Sequence, residues 1–190
     1  MKKVIIVNGI PASGKSTVAA KIATHFGWPY LSIDTIKEPF MDLHVAIDRE
    51  FNRELSKAAY KAIWDTVASA PDDCIYVIDA WFGFQSRELL ESYVKQSDVV
   101  EIIEVWNSIS PELVADRYRS RLYLRKEGHP GEEYIPELMA LAERASPMNI
   151  GKVYCIDQDT GSEIQEVLAA LASRPGSFKE SSLVDLPMAR

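Results

Sequence analysis

One short segment near the start of the chain constrains its fold more than any other feature. Residues 9–17 read GIPASGKST, in which four residues separate two glycines and Lys-Ser follows the second. An apolar run at residues 4–7 precedes this segment, and a helical pattern follows it. A glycine loop between a buried strand and a helix is the arrangement that binds phosphate groups of nucleotides. The segment therefore predicts an α/β protein that binds a nucleoside triphosphate.

Each position of this loop has a chemical reason. Glycines allow backbone N–H groups to approach the phosphates closely, Lys15 can reach the β- and γ-phosphates, and the Ser16 hydroxyl can ligate Mg²⁺. The residues predicted to bind the nucleotide are Gly9, Ala12, Ser13, Gly14, Lys15, Ser16 and Thr17.

Strand and helix patterns alternate along the rest of the chain. The predicted strands are residues 2–8, 29–33, 74–78, 99–106 and 152–156, and the predicted helices are 15–26, 35–70, 87–95, 111–126, 135–144 and 162–171. This alternation predicts a three-layer sandwich with a parallel five-stranded sheet between helices. Residues 1–172 form the predicted P-loop domain, and residues 173–190 read as a tail.

Composition narrows the range of functions. The 190-residue chain is 47% hydrophobic and carries a net charge of −7, which argues against an extended nucleic-acid surface. No apolar run approaches the ~18 residues of a membrane span, so we expect a cytoplasmic protein without membrane contact. Cys74 and Cys155 lie in apolar runs and are expected to be buried, reduced thiols.

Two aspartates follow predicted strands. Ligands bind beyond the carboxyl ends of parallel strands, so Gly9, Asp34, Asp79, Trp106 and Asp157 are expected around one crevice. Asp34 is the candidate general base, and the alternative is a helix N-cap. Asp79 is the candidate Mg²⁺ or acceptor contact, with a purely structural role as the alternative.

Aromatic and basic residues complete the candidate site. Trp81 and Phe82 are predicted to contact the acceptor, although aromatic residues more often pack in a core. Four-residue spacing puts three arginines in one helical row: Arg117, Arg121 and Arg125. We expect this row to belong to a lid at about residues 115–135, and the alternative is a solvated helix face. A further set either contacts an acidic acceptor or is merely solvated: Lys37, Arg49 and Arg53.

These residues resemble the small-molecule kinase branch of the P-loop proteins, in particular the group of zeta toxin and chloramphenicol phosphotransferase. Beyond the glycine loop, the resemblance covers residues 33–36 with Asp34, residues 77–80 with Asp79, and the arginines at 117 and 121. It implies ATP and Mg²⁺ as cofactors and phosphorylation of a hydroxyl group. The predicted catalytic set is Asp34, Lys15, Arg117, Arg121 and Arg125, of which the resemblance supports Asp34, Arg117 and Arg121.

The sequence leaves other functions open. A polynucleotide 5′-hydroxyl kinase would need a basic strand-binding groove, and a regulatory ATPase would hydrolyse ATP without a small acceptor. A GTP switch is disfavoured because the chain lacks the guanine-reading Asn-Lys-x-Asp run. A small molecule with a hydroxyl group is the expected partner. The aromatic residues near both aspartates favour a partly apolar acceptor, and the oligomeric state stays open.

Overall fold

Five parallel strands form the centre of the molecule in a computed structural model that describes residues 1–161 and 163–173. The strands are β1 (Lys2–Asn8), β2 (Tyr30–Ser32), β3 (Ile75–Ala80), β4 (Val99–Ser108) and β5 (Lys152–Asp157). Their spatial order is β2-β3-β1-β4-β5, and every neighbouring pair is parallel. The predicted five-stranded parallel sheet is confirmed.

Seven α-helices surround this sheet within the described residues. They are α1 (Lys15–Phe26), α2 (Ile33–Met41), α3 (Arg49–Ser69), α4 (Arg87–Gln96), α5 (Pro111–Ser120), α6 (Ile135–Arg144) and α7 (Ile164–Ala172). Short 3₁₀ turns at Phe82–Phe84, Leu122–Leu124 and Glu132–Tyr134 join some of them.

The central strand β1 is apolar from Val4 to Val7 because helices cover both of its faces. Val4 and Ile6 pack into one cluster, which includes Tyr60 and Trp64 of α3. Ile5 and Val7, on the opposite face of β1, pack into a second cluster against α1 and α7. A third cluster joins α5 and α6 beside the glycine loop. Burial on both faces explains why β1 shows a continuous apolar run rather than alternation.

Two long predicted helices are shorter in the structure. The predicted helix at 35–70 is divided into α2 and α3, with a break at residues 42–48. The predicted helix at 111–126 ends at Ser120 and continues as a 3₁₀ turn. In both places the helical spacing of side chains persists across the break, and periodicity alone therefore missed the change in backbone.

The cysteine prediction is partly wrong. Both cysteines are free, but Cys155 is exposed, and Cys74 is half-buried just before β3. Strand β5 lies at an edge of the sheet and is largely uncovered, with Lys152 and Cys155 exposed and Ile156 buried.

Two further predictions concern the chain ends and membranes. Of the predicted tail at 173–190, only Ser173, the C-cap of α7, is described. Residues 174–190 and the predicted helix start at Ser162 lie outside the described residues. In the part of the chain that the structure describes, no helix is both long and apolar enough to cross a membrane.

A buried polar network connects the end of β1 to the interior of β4 and to the chain just after β3. Glu104 of β4, only 1% exposed, accepts hydrogen bonds from Asn8 Nδ2 at 2.7 Å and from the backbone N–H groups of Met148 and Asn149, both at 2.9 Å. Asn8 Oδ1 in turn accepts from the N–H groups of Gly9 and Phe82. The network therefore fixes both the start of the glycine loop and the chain just after β3.

Replacing this carboxyl group should destabilise the fold. Glu104→Leu removes the acceptor from three donors, so we expect unfolding free energy to fall by about 2–5 kcal/mol in urea denaturation. Glu104→Gln keeps one acceptor oxygen and should cost clearly less. Equal losses in the two variants would contradict the expectation that stability depends on how many of these hydrogen bonds are kept.

Candidate active site

A cavity of about 460 Å³ lies beyond the carboxyl ends of β1, β2 and β3. Its wall includes the glycine loop with Lys15 and Ser16, together with Asp34 after β2 and Asp79 at the end of β3. This volume is within the usual range for small-molecule sites, about 300–1,000 Å³. The strand-exit geometry expected from the sequence therefore brings both aspartates to the loop. Gly9, Trp106 and Asp157 do not line the cavity, and that part of the expectation is wrong.

The glycine loop has the backbone required for close approach to an anion. Gly14 has φ +88°, and a Cβ added there would lie 2.6 Å from Gln158 Oε1. Ala12 also adopts a left-handed conformation, with φ 64°, which is unusual for a residue with a side chain. Gly14 caps α1 without a side-chain hydrogen bond to the first turn. The N–H groups and the positive end of α1 are thus directed at the cavity.

Arg117 supports the loop from behind. Its guanidinium donates to the Ser13 carbonyl at 3.3 Å and to Gln158 Oε1 at 3.0 Å. Gln158 Nε2 donates to Asn107 Oδ1, and Asn107 Nδ2 donates to the Asn8 carbonyl at 3.0 Å. Arg117 is not part of the cavity wall, so its predicted place over the triphosphate is not where the side chain lies. Sequence reasoning missed the amides because neither belongs to a motif.

Ser16 and Asp79 offer oxygen atoms that suit Mg²⁺. Asp79 is 3% exposed, and its Oδ1 has no hydrogen-bond partner in the described part of the chain. Its Oδ2 accepts from the Tyr30 hydroxyl at 2.8 Å. Burial and the neighbouring Asp79 raise the pKa of Tyr30, so the phenol stays protonated and donates. A buried carboxyl oxygen without a partner beside a serine hydroxyl fits a hard divalent cation.

Asp34 lies in the first turn of α2, and its side chain is 58% exposed, opening into the cavity. Ser32 occupies the N-cap position, so the alternative that Asp34 caps the helix is wrong. Burial acts to raise the pKa of Asp34, but Lys37 and Lys15 outweigh it and hold the pKa below its ordinary value of 3.8. The carboxylate is therefore ionised near neutral pH and can accept a proton or orient a hydroxyl.

A buried lysine holds this carboxylate. Lys37, 6% exposed, lies 3.2 Å from Asp34 Oδ1. The same ammonium group donates to Asn52 Oδ1 at 3.1 Å and to Ser56 Oγ at 3.3 Å. With three partners, this buried charge is fully hydrogen-bonded.

The other two predicted arginines line the cavity but are not on one helix. Arg121 follows the end of α5, and its guanidinium has no hydrogen-bond or ion-pair partner among the described residues. Arg125 stacks on the ring of Tyr118 at 4.7 Å and donates to His129 Nδ1 at 3.1 Å. The predicted row of arginines is therefore interrupted after Ser120.

His129 also lines the cavity, although no role was predicted for it. Its Nε2 lies 3.0 Å from Glu38 Oε1. Burial and Lys37 lower the pKa of His129, so a neutral ring donates to Glu38 and accepts from Arg125. Nothing in the local sequence except the adjacent turn residues could have indicated this position.

The two aromatic predictions have different outcomes. Trp81 lines the cavity, whereas Phe82 is 1% exposed and packs in the core against Tyr60. The 3₁₀ turn Phe82–Phe84 causes this, because it directs Phe82 inward and leaves Phe84 on the cavity wall. The assignment of Phe82 to the acceptor site is therefore wrong, and Phe84 takes that place.

No protein-family model matches this chain, and no curated protein matches it. Solved structures do match. A protein from Chloroflexus aurantiacus J-10-fl, provisionally assigned as a kinase, has a TM-score of 0.78 and 20% identity, with 90% of this chain and 97% of that chain covered.

Two further matches have named activities. A gluconokinase from Sinorhizobium meliloti 1021 has a TM-score of 0.55 and 18% identity, covering 90% of this chain and 91% of that one. A shikimate kinase from Acinetobacter baumannii, solved with shikimate, has a TM-score of 0.53 and 17% identity, covering 91% and 95%. These likenesses establish the P-loop α/β fold. None of these three is a zeta toxin or a chloramphenicol phosphotransferase, so that resemblance stays a prediction.

Removing the lysine that holds Asp34 should change the acid titration. In Lys37→Met we expect the pKa of Asp34 to rise, because the ion pair is lost and the burial remains. In the native protein, the stabilisation from the ionised carboxylate is present above pH 3.8 and is lost as the pH falls through the lower folded pKa. The variant should lose it at higher pH.

The carboxyl ¹³C shift of Asp34, followed against pH, measures this change. Lys61→Met is the control, because Lys61 lies exposed on α3 and pairs with Asp65. An unchanged Asp34 titration in Lys37→Met would contradict the assigned cause of the shift.

Proposed function

We propose that this protein is an ATP-dependent phosphotransferase that moves the γ-phosphate to a hydroxyl group of a small molecule. One observation carries the proposal: a single cavity brings together the glycine loop, the unpaired Asp79 Oδ1 and the ionised Asp34. The fold shared with a gluconokinase and a shikimate kinase supports the same reaction class.

Different residues of the cavity have different roles in this proposed reaction. Lys15 and the N–H groups at the start of α1 bind the β- and γ-phosphates, and Arg121 adds positive charge from the segment after α5. Ser16 and Asp79 would hold Mg²⁺, which neutralises negative charge on the phosphates when bound. Trp81 and Phe84 would contact the acceptor.

Asp34 would act on the acceptor hydroxyl. The acceptor oxygen forms a bond to the γ-phosphorus, the bond from that phosphorus to the bridging oxygen breaks, and ADP leaves with the electron pair. Asp34 accepts the hydroxyl proton and orients the oxygen. Lys37 keeps the carboxylate ionised and in place for this step.

Asp34→Asn should abolish transfer and leave nucleotide binding intact. General-base catalysis typically contributes about 10²–10⁴-fold, so kcat should fall by at least about 100-fold while the Kd for Mg·ATP changes little. Transfer is measured by the mass of phosphorylated products in a panel of hydroxyl compounds, with ADP release followed in parallel.

Two variants make this test specific. Lys15→Ala should lose nucleotide binding as well as transfer, whereas Asp65→Asn, on the exposed face of α3, should behave like the native protein. Unchanged turnover in Asp34→Asn would overturn the role of the base. ADP release without any phosphorylated product would instead favour an ATPase that has no small acceptor.

Trp81→Ala should weaken binding of the acceptor more than binding of ATP. We expect the KM for the acceptor to rise about tenfold, because an aromatic contact is lost from the cavity wall. The control is Trp28→Ala, since Trp28 stacks on Phe26 outside this cavity. Equal effects on both KM values would remove Trp81 from the acceptor site.

A further inference from the structure

The first two turns of α3 present polar residues to the cavity where the same helix face is otherwise apolar. Cavity-lining positions recur at helical spacing, at Arg49, Asn52, Arg53, Ser56 and Lys57. Farther along, the inward face consists of buried core residues, namely Ala59, Tyr60, Ile63, Trp64 and Val67. On this face of α3, the residues change from apolar to polar and cationic where the helix reaches the cavity. Packing against the core does not explain the cationic residues.

Most of these polar side chains are already engaged within the protein. Asn52 and Ser56 hold Lys37, and Arg49 pairs with Glu137. Arg53 differs, because it lines the cavity and its side chain has no hydrogen-bond, ion-pair or ring partner among residues 1–161 and 163–173. Its five N–H donors are available to a ligand.

The cavity as a whole has a charge opposite to that of the chain. Its described lining contains seven lysines and arginines against two aspartates, in a protein with a net charge of −7. A triphosphate bound at the glycine loop accounts for Lys15 and Arg121. Arg53 and Lys57 lie on α3, which contributes no residue to that loop.

We propose that the acceptor carries an anionic group, a carboxylate or a phosphate, which binds Arg53 and Lys57 while its hydroxyl faces Asp34. Both anions share the planar or branched oxygen geometry that an arginine binds in bidentate fashion. Trp81 and Phe84 line the same cavity, so the body of the acceptor can still be partly apolar. This inference rests on the proposed phosphotransferase function and specifies its substrate class.

Lys61 provides a closely matched control for Lys57. Lys57 pairs with Glu54 at 2.6 Å and its side chain is 61% exposed, while Lys61 pairs with Asp65 at 2.6 Å and is 60% exposed. Both lie on α3, but of the two only Lys57 lines the cavity. If Lys57→Gln and Lys61→Gln behave differently, the cause is the position of Lys57 on the cavity wall and not the loss of a positive charge from α3.

The first experiment compares phosphorylation of a panel in which each carbon skeleton appears as a neutral polyol, a sugar acid and a sugar phosphate. We expect products from anionic members, and the more active anion identifies the carboxylate or the phosphate. Arg53→Gln should raise the KM for that acceptor about 10- to 100-fold with a smaller change in kcat. Lys57→Gln should raise it less, and Lys61→Gln should not change it.

Neutral polyols phosphorylated as well as their anionic counterparts would overturn the inference and leave the proposed phosphotransferase intact. A KM equal in Arg53→Gln and Lys61→Gln would overturn it too. Absence of products from every member would instead count against the phosphotransferase itself.

A second measurement does not depend on finding the acceptor. The protein is loaded with Mg²⁺ and the β,γ-methylene analogue of ATP to fill the nucleotide site, and inorganic phosphate or malonate is then titrated by calorimetry. We expect binding of at least one of these anions that is lost in Arg53→Gln and kept in Lys61→Gln. If Arg53→Gln and Lys61→Gln bind both anions equally, the inference fails.

Discussion

The hydrogen bond between Asn8 and Glu104 is the interaction on which the rest of the site depends. It joins the last residue of β1 to the interior of β4, and the oxygen of the Asn8 side-chain amide accepts from the N–H groups of Gly9 and Phe82. One buried side chain therefore sets where the glycine loop begins and where the chain goes after Asp79. Because these groups are buried, a donor left without an acceptor would cost free energy, so other orientations of the Asn8 amide are disfavoured.

A second buried polar group connects the candidate base to elements farther along the chain. Lys37 contacts Asp34 and is held by Asn52 of α3, whose amide also donates to the Gly128 carbonyl at 2.5 Å. The break between α2 and α3 makes this possible, since a continuous helix could not turn Asn52 back towards Lys37. Any movement of the segment around Gly128 would thus act on the residue that holds Asp34.

The features that the sequence predicted well have strong local signals. The glycine loop and the five strands need no long-range information, and the parallel sheet follows from the alternation of strands and helices, whereas the strand order was not predicted. The positions of Asp34 and Asp79 beside the loop followed from the same rules. Phe82 and Arg117 were misplaced because a 3₁₀ turn and a pair of distant amides decide where these side chains point.

Some contacts of the site, including those that bury Lys37, have no signal in the sequence. Lys37, Asn52 and His129 meet only when α2, α3 and the turn after α5 are packed together, and each is an ordinary polar residue in its own segment. The sequence could not show that the side chain of Arg53, which is exposed, lines the cavity and has no partner among the described residues. Side-chain identity gave the candidate cations, and tertiary packing decided which of them lacks a partner.

The charge of the whole chain is a poor guide to what this cavity binds. At physiological ionic strength, exposed charges farther apart than about 8 Å are largely screened, so the nearest groups dominate the potential at a bound ligand. Those groups are mainly lysines and arginines, although the chain has 28 acidic and 21 basic residues. An acidic exterior and a cationic cavity are compatible, because field lines concentrate in a cleft with low-dielectric walls. The acidic composition therefore weighs against an extended nucleic-acid surface, and it does not weigh against a small anionic acceptor.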